Sequence, residues 1–390
     1  MDQSSNTGAQ GPSGPLAGVR VVELAGLGAL PFATHKLADM GADVIRVHRV
    51  SEVPADPLPP RYSSYDRGRR SVAVDLKHPR GPEVIHALVA SAEVFVESFR
   101  PGVCERLGVG PDDLLAVNPR LVYGRLTGWG QDGPLAHAAG HSLNYEGLTG
   151  AIGSMGTRGG SPVPLLQVLG DFAGGGLHLA FGVVCALVEA RASGRGQVVD
   201  AAMTDGVMSL FDIYYGMAGT GYHDDTAPGT NFFDGGSPSY NVYPTSDGRH
   251  VTVAPIEDAF YAEMVQRLGL DAATLPDRHD PAHWDELIAT FAAVFRTKTR
   301  DEWEAVFAGT DACVAGVYTF TEAPDLPLHQ ARGVFRPTPD GGRELVPAPR
   351  LSRTPGQPGP SYAHPGADTD AVLREVGLDA ASLRAAGAVG

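Results

Sequence analysis

From Gly18 to Arg125 the chain alternates short β-branched runs with apolar helical stretches, and this alternation narrows the possible folds more than any other feature. Val19-Arg20-Val21-Val22-Glu23-Leu24 reads as a strand, and Pro31 to Gly41 as a helix with Ala33, Leu37 and Met40 on one face. Asp43 to Val47, Ser71 to Leu76, Glu93 to Glu97 and Leu121 to Arg125 read as further strands, with a helix from Arg80 to Ser91. Short apolar strands separated by helices indicate a parallel sheet covered on both faces. The expected fold class is α/β, with a Rossmann-like large domain. A dinucleotide fingerprint is not expected: Gly26-Leu27-Gly28 follows a strand, but Pro31 stands where the third glycine is needed.

The second half changes character. Leu177 to Arg191 reads as an apolar helix stopped by Ser193-Gly194-Arg195-Gly196, and Val198 to Leu210 as a strand turning into a helix. Asp224 to Ser239, rich in Gly, Asp, Pro and Asn, reads as a linker or loop. Asn241 to Pro255 reads as a hairpin turning at Asp247-Gly248, followed by helices at Asp258 to Leu268, Trp284 to Phe295 and Arg300 to Gly309. The region after Arg332 is Pro-rich with little regular structure until a helix at Thr369 to Glu375 and a short one at Asp379 to Ala386. The expected organisation is a disordered leader at 1–16, a large domain at 17–222, a small α+β domain at 223–330, and a return to the large domain at 331–390.

Charge limits the partners. With 45 acidic against 30 basic residues the formal charge is −15, which disfavours nucleic acid and anionic membrane surfaces. No apolar run reads as long enough to span a bilayer. An anionic ligand therefore needs a local cluster of cations. Arg46, Arg49, Arg67, Arg69, Arg70, Arg100 and Arg106 form one, several of them at strand ends where open α/β sheets bind ligands. The alternative is that these arginines simply pair with the acidic excess. Cys104, Cys185 and Cys313 make neither a disulfide framework nor a metal site, so a reducing cytoplasm is expected.

Two Gly-rich stretches each hold a group able to move a proton: Gly140-His141-Ser142-Leu143-Asn144-Tyr145 and, 30 residues after the His, Gly170-Asp171-Phe172-Ala173-Gly174-Gly175. A helix start offers unpaired N–H donors to an anion, and glycine lets a ligand come close. An imidazole and a carboxyl at neighbouring helix starts could thus flank one reacting group. By spacing alone, though, the pair reads first as a core His and a capping Asp.

Longer stretches make the pattern specific. Gly14-Pro15-Leu16-Ala17-Gly18-Val19-Arg20-Val21-Val22-Glu23-Leu24, Leu37 to Val47, Val74-Asp75-Leu76-Lys77 and Ser98-Phe99-Arg100-Pro101-Gly102 resemble the class III CoA-transferase (CaiB/BaiF-type) family. Gly140-His141 with Asn144-Tyr145, Gly170-Asp171-Phe172, and Ala254-Pro255-Ile256-Glu257 resemble its α-methylacyl-CoA racemase branch. The resemblance implies an interlocked homodimer, with CoA along the large domain of one subunit and the small domain of the other closing the site. It implies His141 and Asp171 as acid/base residues, and Glu257 reaching His141 from the partner subunit. Arg49, Val74, Asp75, Lys77, Phe99, Arg100, Arg106 and Gly140 would line the CoA path; Ser142, Tyr145 and Gln167 would border the substrate.

The chemistry agrees independently. Inverting a carbon α to a thioester needs proton removal on one face and delivery on the other, so one group starts as base and one as acid. Neutral His141 can take the proton; Asp171 must hold one, which requires a carboxyl pKa raised by its surroundings. N–H groups at the helix start after His141 could hold the enolate oxygen. No metal is expected, nor any cofactor beyond the CoA of the substrate. Ser142 and Gln167 stand where the racemases usually have Asp and Asn, and Ser142 is expected to cap the helix. A CoA-transferase using Asp171 as nucleophile, or a non-catalytic acyl-CoA-binding homologue, are the alternatives.

Overall fold

The computed structural model describes residues 14–55 and 63–390. Its contacts divide the chain into two compact units: unit 1 takes the described part of Met1–Thr149 with Leu166–Leu210 and Arg332–Gly390, and unit 2 takes Gly150–Leu165 and Phe211–Ala331. The expected disordered leader lies outside the described residues up to position 13. Its last residues are ordered: the Leu16 N–H donates to Met40 O at 3.0 Å, and the side chain packs on the core.

Unit 1 runs β1 (Arg20–Leu24), α1 (Ala29–Asp39), β2 (Asp43–His48), β3 (Arg69–Ala73), α2 (Gly81–Ala90), β4 (Val94–Glu97), α3 (Val103–Arg106), α4 (Pro111–Val117), β5 (Val122–Thr127), α5 (Ser142–Leu148), a π-helix (Val168–Leu177), α6 (His178–Ser193), β6 (Gln197–Ala202) and α7 (Met203–Leu210). The six strands pair in parallel in the order β3-β2-β1-β4-β5-β6, the doubly wound arrangement. Alternation along the strands sends neighbouring side chains to opposite faces. Val21, Val44, Val94, Val96 and Val122 meet α1 and α6 on one face; Val22, Leu24, Ile45, Val47, Phe95 and Tyr123 meet α2 on the other.

Four of the seven arginines expected near a ligand are instead structural. Arg46 Nη1 lies 3.2 Å from the fully buried Glu23 carboxylate, and Arg69 Nη1 donates to it at 3.1 Å. Arg67 pairs with Asp39 at 2.9 Å and Glu344 at 2.7 Å; Arg70 pairs with Asp43 at 2.7 Å and Glu375 at 2.6 Å. Their carboxylates stand between 23 and 305 residues away in the chain, beyond what a local sequence pattern reveals. Removing one partner of the buried pairs made by Arg46, Arg67 or Arg69 costs about 3–5 kcal/mol, while the part-exposed pairs of Arg70 contribute less; all four residues hold the fold.

Unit 2 contains α8 (Asp212–Thr220), β7 (Asn241–Pro244), β8 (His250–Val253), α9 (Asp258–Arg267), α10 (Trp284–Phe295), α11 (Arg300–Phe307), β9 (Val314–Gly316) and α12 (Pro327–Ala331). The expected hairpin is β7–β8, turning at Asp247-Gly248, with β9 added antiparallel as a third strand. That strand spans 3 residues, too few to show an alternating pattern. Tyr243, Phe291, Phe295, Trp303 and Phe307 fill the core. A cavity of about 1010 Å³ within this unit is walled by Phe211, Tyr214, Phe233, Tyr240 and Ile288.

The chain then returns to unit 1. The Pro-rich region, expected to be irregular, forms a hairpin of β10 (Phe335–Pro337) and β11 (Arg343–Leu345), whose Glu344 receives Arg67. Then α13 (Thr369–Glu375) and α14 (Ala380–Ala385) cover the outer face. Val389 bridges to Val74 and the Asp75 N–H donates to Ala388 O at 2.9 Å, so the C-terminus shields the β3 edge. One expectation is corrected. The π-helix and α6 join into a single helix, Val168–Ser193, whose length and composition would allow it to cross a membrane. In unit 1 it packs along β5 and β6.

Candidate active site

The loop after β5 is built around two aromatic rings. Trp129 meets Tyr145 edge-on at 4.7 Å, and the Tyr145 hydroxyl donates to Gly140 O. A Cβ on Gly140 would lie 2.7 Å from the Tyr145 ring, so only glycine permits this closure. His141 follows as the exposed, extended residue that starts α5. Its N–H donates to the Asn144 side chain at 3.0 Å. Ser142 does not cap this helix, contrary to expectation, because its hydroxyl is engaged elsewhere.

That engagement links the two motifs. The Asp171 N–H donates to Ser142 Oγ at 3.1 Å, and Ser142 Oγ donates to Glu146 Oε1 at 2.6 Å. Glu146 Oε1 also receives the Gly170 N–H at 2.8 Å. His141 and Asp171, 30 residues apart in sequence, are thus joined through the residue next to each. Asp171 sits in the first turn of the π-helix, where the Phe172 N–H reaches back to Gln167 O at 3.3 Å. Such π segments recur at functional sites. The following glycines bring helices together: a Cβ on Gly174 would lie 2.6 Å from Val207 of α7, and one on Gly176 2.7 Å from Phe32 of α1. Phe172 and Phe32 stack at 4.6 Å, tying the π-helix to α1.

Burial pushes the Asp171 carboxyl above the usual carboxylate range; the Glu146 charge pushes it further, and His141 opposes. Gly28 borders it directly, with φ of 61° and a hypothetical Cβ 2.6 Å from Asp171 Oδ2. The Tyr65 hydroxyl donates to Gly28 O at 2.6 Å. A half-buried carboxyl with a raised pKa, near an exposed imidazole, can give a proton to one side of a small group while the imidazole takes one from the other. The first turn of α5 adds N–H groups without helical acceptors.

The other predicted residues fall elsewhere. Arg49, Val74, Asp75, Lys77 and Phe99 line a cavity of about 490 Å³ at the carboxyl ends of β1 to β4. This is where a doubly wound sheet binds ligands, beside the point where strand order reverses between β1 and β4. Arg100 and Arg106 are exposed after β4 and at the end of α3; neither lines this cavity. Gln167 is exposed at the start of the π-helix. Glu257 belongs to unit 2, exposed just before α9. Among the described residues, no group of three or more His, Cys, Asp or Glu is arranged to hold a metal ion.

Glu146, Gly28 and Tyr65 were not anticipated. Glu146 carried a faint signal, since four residues after Ser142 on a helix means the same face; Gly28 and Tyr65 meet the site only through the tertiary fold.

Residues 16–370 match CoA-transferase family III. The chain is 43% identical over 367 residues to α-methylacyl-CoA racemase of Mus musculus, covering 93% of each. It is 40% identical to the Homo sapiens enzyme of that name over 369 residues, 93% of this chain and 94% of the other. A solved CAIB/BAIF family protein from Brucella suis superposes with a TM-score of 0.79 at 25% identity, over 93% of this chain and 100% of that one. With the doubly wound sheet and a family match across most of its length, the chain belongs to CoA-transferase family III.

Proposed function

We propose that this protein is a racemase that inverts the α-carbon of 2-methylacyl-CoA thioesters by two-base proton transfer. The observation that carries the reading is Asp171, whose carboxyl is pushed above the usual carboxylate range by burial and by the Glu146 charge, joined through Ser142 to the helix start that bears His141. Likeness to two proteins named α-methylacyl-CoA racemase supports it. In one direction His141 removes the α-proton, the first-turn N–H groups of α5 hold the enolate oxygen, and Asp171 delivers a proton to the opposite face. The reverse direction exchanges the roles. An acyl transfer by Asp171 would use its carboxylate as nucleophile and would have no need of an imidazole opposite it, whereas His141 lies close enough to act on the Asp171 proton. Incubation with a single enantiomer of a 2-methylacyl-CoA in heavy water tests the reading: α-deuterium should enter as the chirality is lost. Transfer of the acyl group to a free acid without inversion would overturn it.

The cavity at the strand ends would take part of the CoA, with Arg49 and Lys77 on phosphate oxygens and Phe99 against a flat or apolar part. Arg49→Ala and Lys77→Ala are expected to raise KM for the thioester roughly 10-fold while kcat changes little, because contacts far from the reacting carbon bind ground and transition states alike. Initial-rate kinetics on each variant check this. Gly28→Ala is expected to lower kcat about 10²-fold, since its Cβ would displace the Asp171 carboxyl from 2.6 Å away. Steady-state kinetics together with a melting curve separate that loss from unfolding.

The working form would be a homodimer in which Glu257 of the partner subunit reaches His141. What supports this is α6, apolar on two faces: Leu179, Val183, Ala186 and Leu187 are buried, while Phe181 and Val188 are 70% and 67% exposed and continue the line of Leu177 and Val184. A helix hydrophobic all round calls for partners all round. The three unpaired cysteines fit a cytoplasmic protein.

A further inference from the structure

Glu146 is neither of the two bases, yet its carboxylate lies at the centre of the site's hydrogen bonds. It is fully buried on α5, one turn beyond Ser142. Oε1 accepts from Ser142 Oγ at 2.6 Å and from the Gly170 N–H at 2.8 Å, and the Asp171 N–H donates to that same Ser142 Oγ at 3.1 Å. Oε2 is buried with no hydrogen-bond partner among the described residues. A buried, half-paired carboxylate weakens a fold, and an apolar side chain would suit the same space better. Its retention calls for a use.

We propose that Glu146 is a positioning residue for Asp171: through the Ser142 hydroxyl and the Gly170 amide it fixes the turn that aims the Asp171 carboxyl, and it sets a negative charge behind that turn. Two consecutive peptide N–H groups, those of Gly170 and Asp171, are tied directly or through one hydroxyl to this carboxylate. The start of the π-helix is thereby anchored to α5, the helix that begins at His141. The same charge favours the protonated form of Asp171, which is the form needed to deliver a proton. The inference rests on the reading of Asp171 as an acid/base group.

Other groups do not supply this charge. Facing Asp171 are Glu146 and Tyr145 from α5, His141 at its start, and Tyr65 beyond Gly28. The helices α1, α6 and α7 also pack against the π-helix. Their ionisable residues, which include His35, Lys36, Asp39, His178 and Asp205, are not among the charges that move Asp171.

Glu146→Gln keeps an acceptor for Ser142 and Gly170 and removes the charge. The pH profile of kcat/KM for inversion of a 2-methylacyl-CoA is expected to be bell-shaped in the unaltered protein. In Glu146→Gln the bell should move to lower pH, because losing a nearby negative charge makes the coupled Asp171/His141 pair release its protons more readily. Ser142→Ala keeps the charge and cuts the bridge. It should lower kcat about 10- to 100-fold with the bell in place. A Glu146→Gln profile that superimposes on the original, or a Ser142→Ala kcat equal to it, overturns the proposal. If Glu146→Gln does not fold, as judged by its melting curve, the Ser142→Ala kcat decides. Asp171→Asn in parallel keeps the two levels apart. An inactive Asp171→Asn with an unmoved Glu146→Gln bell removes the positioning role alone, whereas an Asp171→Asn that turns over normally removes the acid/base reading and this inference with it.

Discussion

Asp171→Asn is expected to lower inversion of a 2-methylacyl-CoA by at least about 10²–10⁴-fold, the usual contribution of a positioned acid or base. The backbone at this position is held by Ser142 through its N–H, which Asn retains, so the fold should survive. Inversion should be lost in both directions, because each needs both groups. Exchange of the α-proton should survive for one enantiomer only, the one whose proton faces His141, with its configuration retained. His141→Ala should give the mirror result. Its residual exchange should increase as pH rises through the raised Asp171 value, since only the ionised carboxyl is a base. Deuterium uptake by each variant from separated (2R) and (2S) thioesters is the measurement. His141→Ala that still racemises near the original rate would remove the two-base assignment.

A comparable loss is expected from α6. Phe181→Glu combined with Val188→Glu places two carboxylates on the exposed apolar line of this helix, leaving the buried face of Leu179, Val183, Ala186 and Leu187 untouched. If that line is the dimer contact, burying the two charges without partners is prohibitive. The variant should sediment as a monomer. It should also be inactive, since Glu257 of the partner subunit would no longer meet His141. Folding and association in such a pair are one equilibrium, so the melting temperature of the unaltered protein should rise with its concentration while that of the variant should not. An active monomer at assay concentration would sink the dimer reading.

The alternation of β-branched runs and helices was legible in the sequence because it is local: a strand buried on both faces is largely apolar, and its neighbouring helix shows a 3.6-residue period. The motifs at Gly140-His141 and Gly170-Asp171 were legible for a similar reason, since glycines beside ionisable residues stand out from a globular background. The fate of the arginines was not. Arg46, Arg67, Arg69 and Arg70 had the same sequence signature as Arg49, and their partners come from as far away as Glu344 and Glu375. Tertiary structure alone decided that they hold the fold while Arg49 lines a cavity. It also decided the surroundings of Asp171. Gly28 and Glu146 stand 143 and 25 residues before it in the chain, and their effect on its proton depends on charge, burial and distance through space. Those quantities exist only once α1, α5 and the π-helix have packed together.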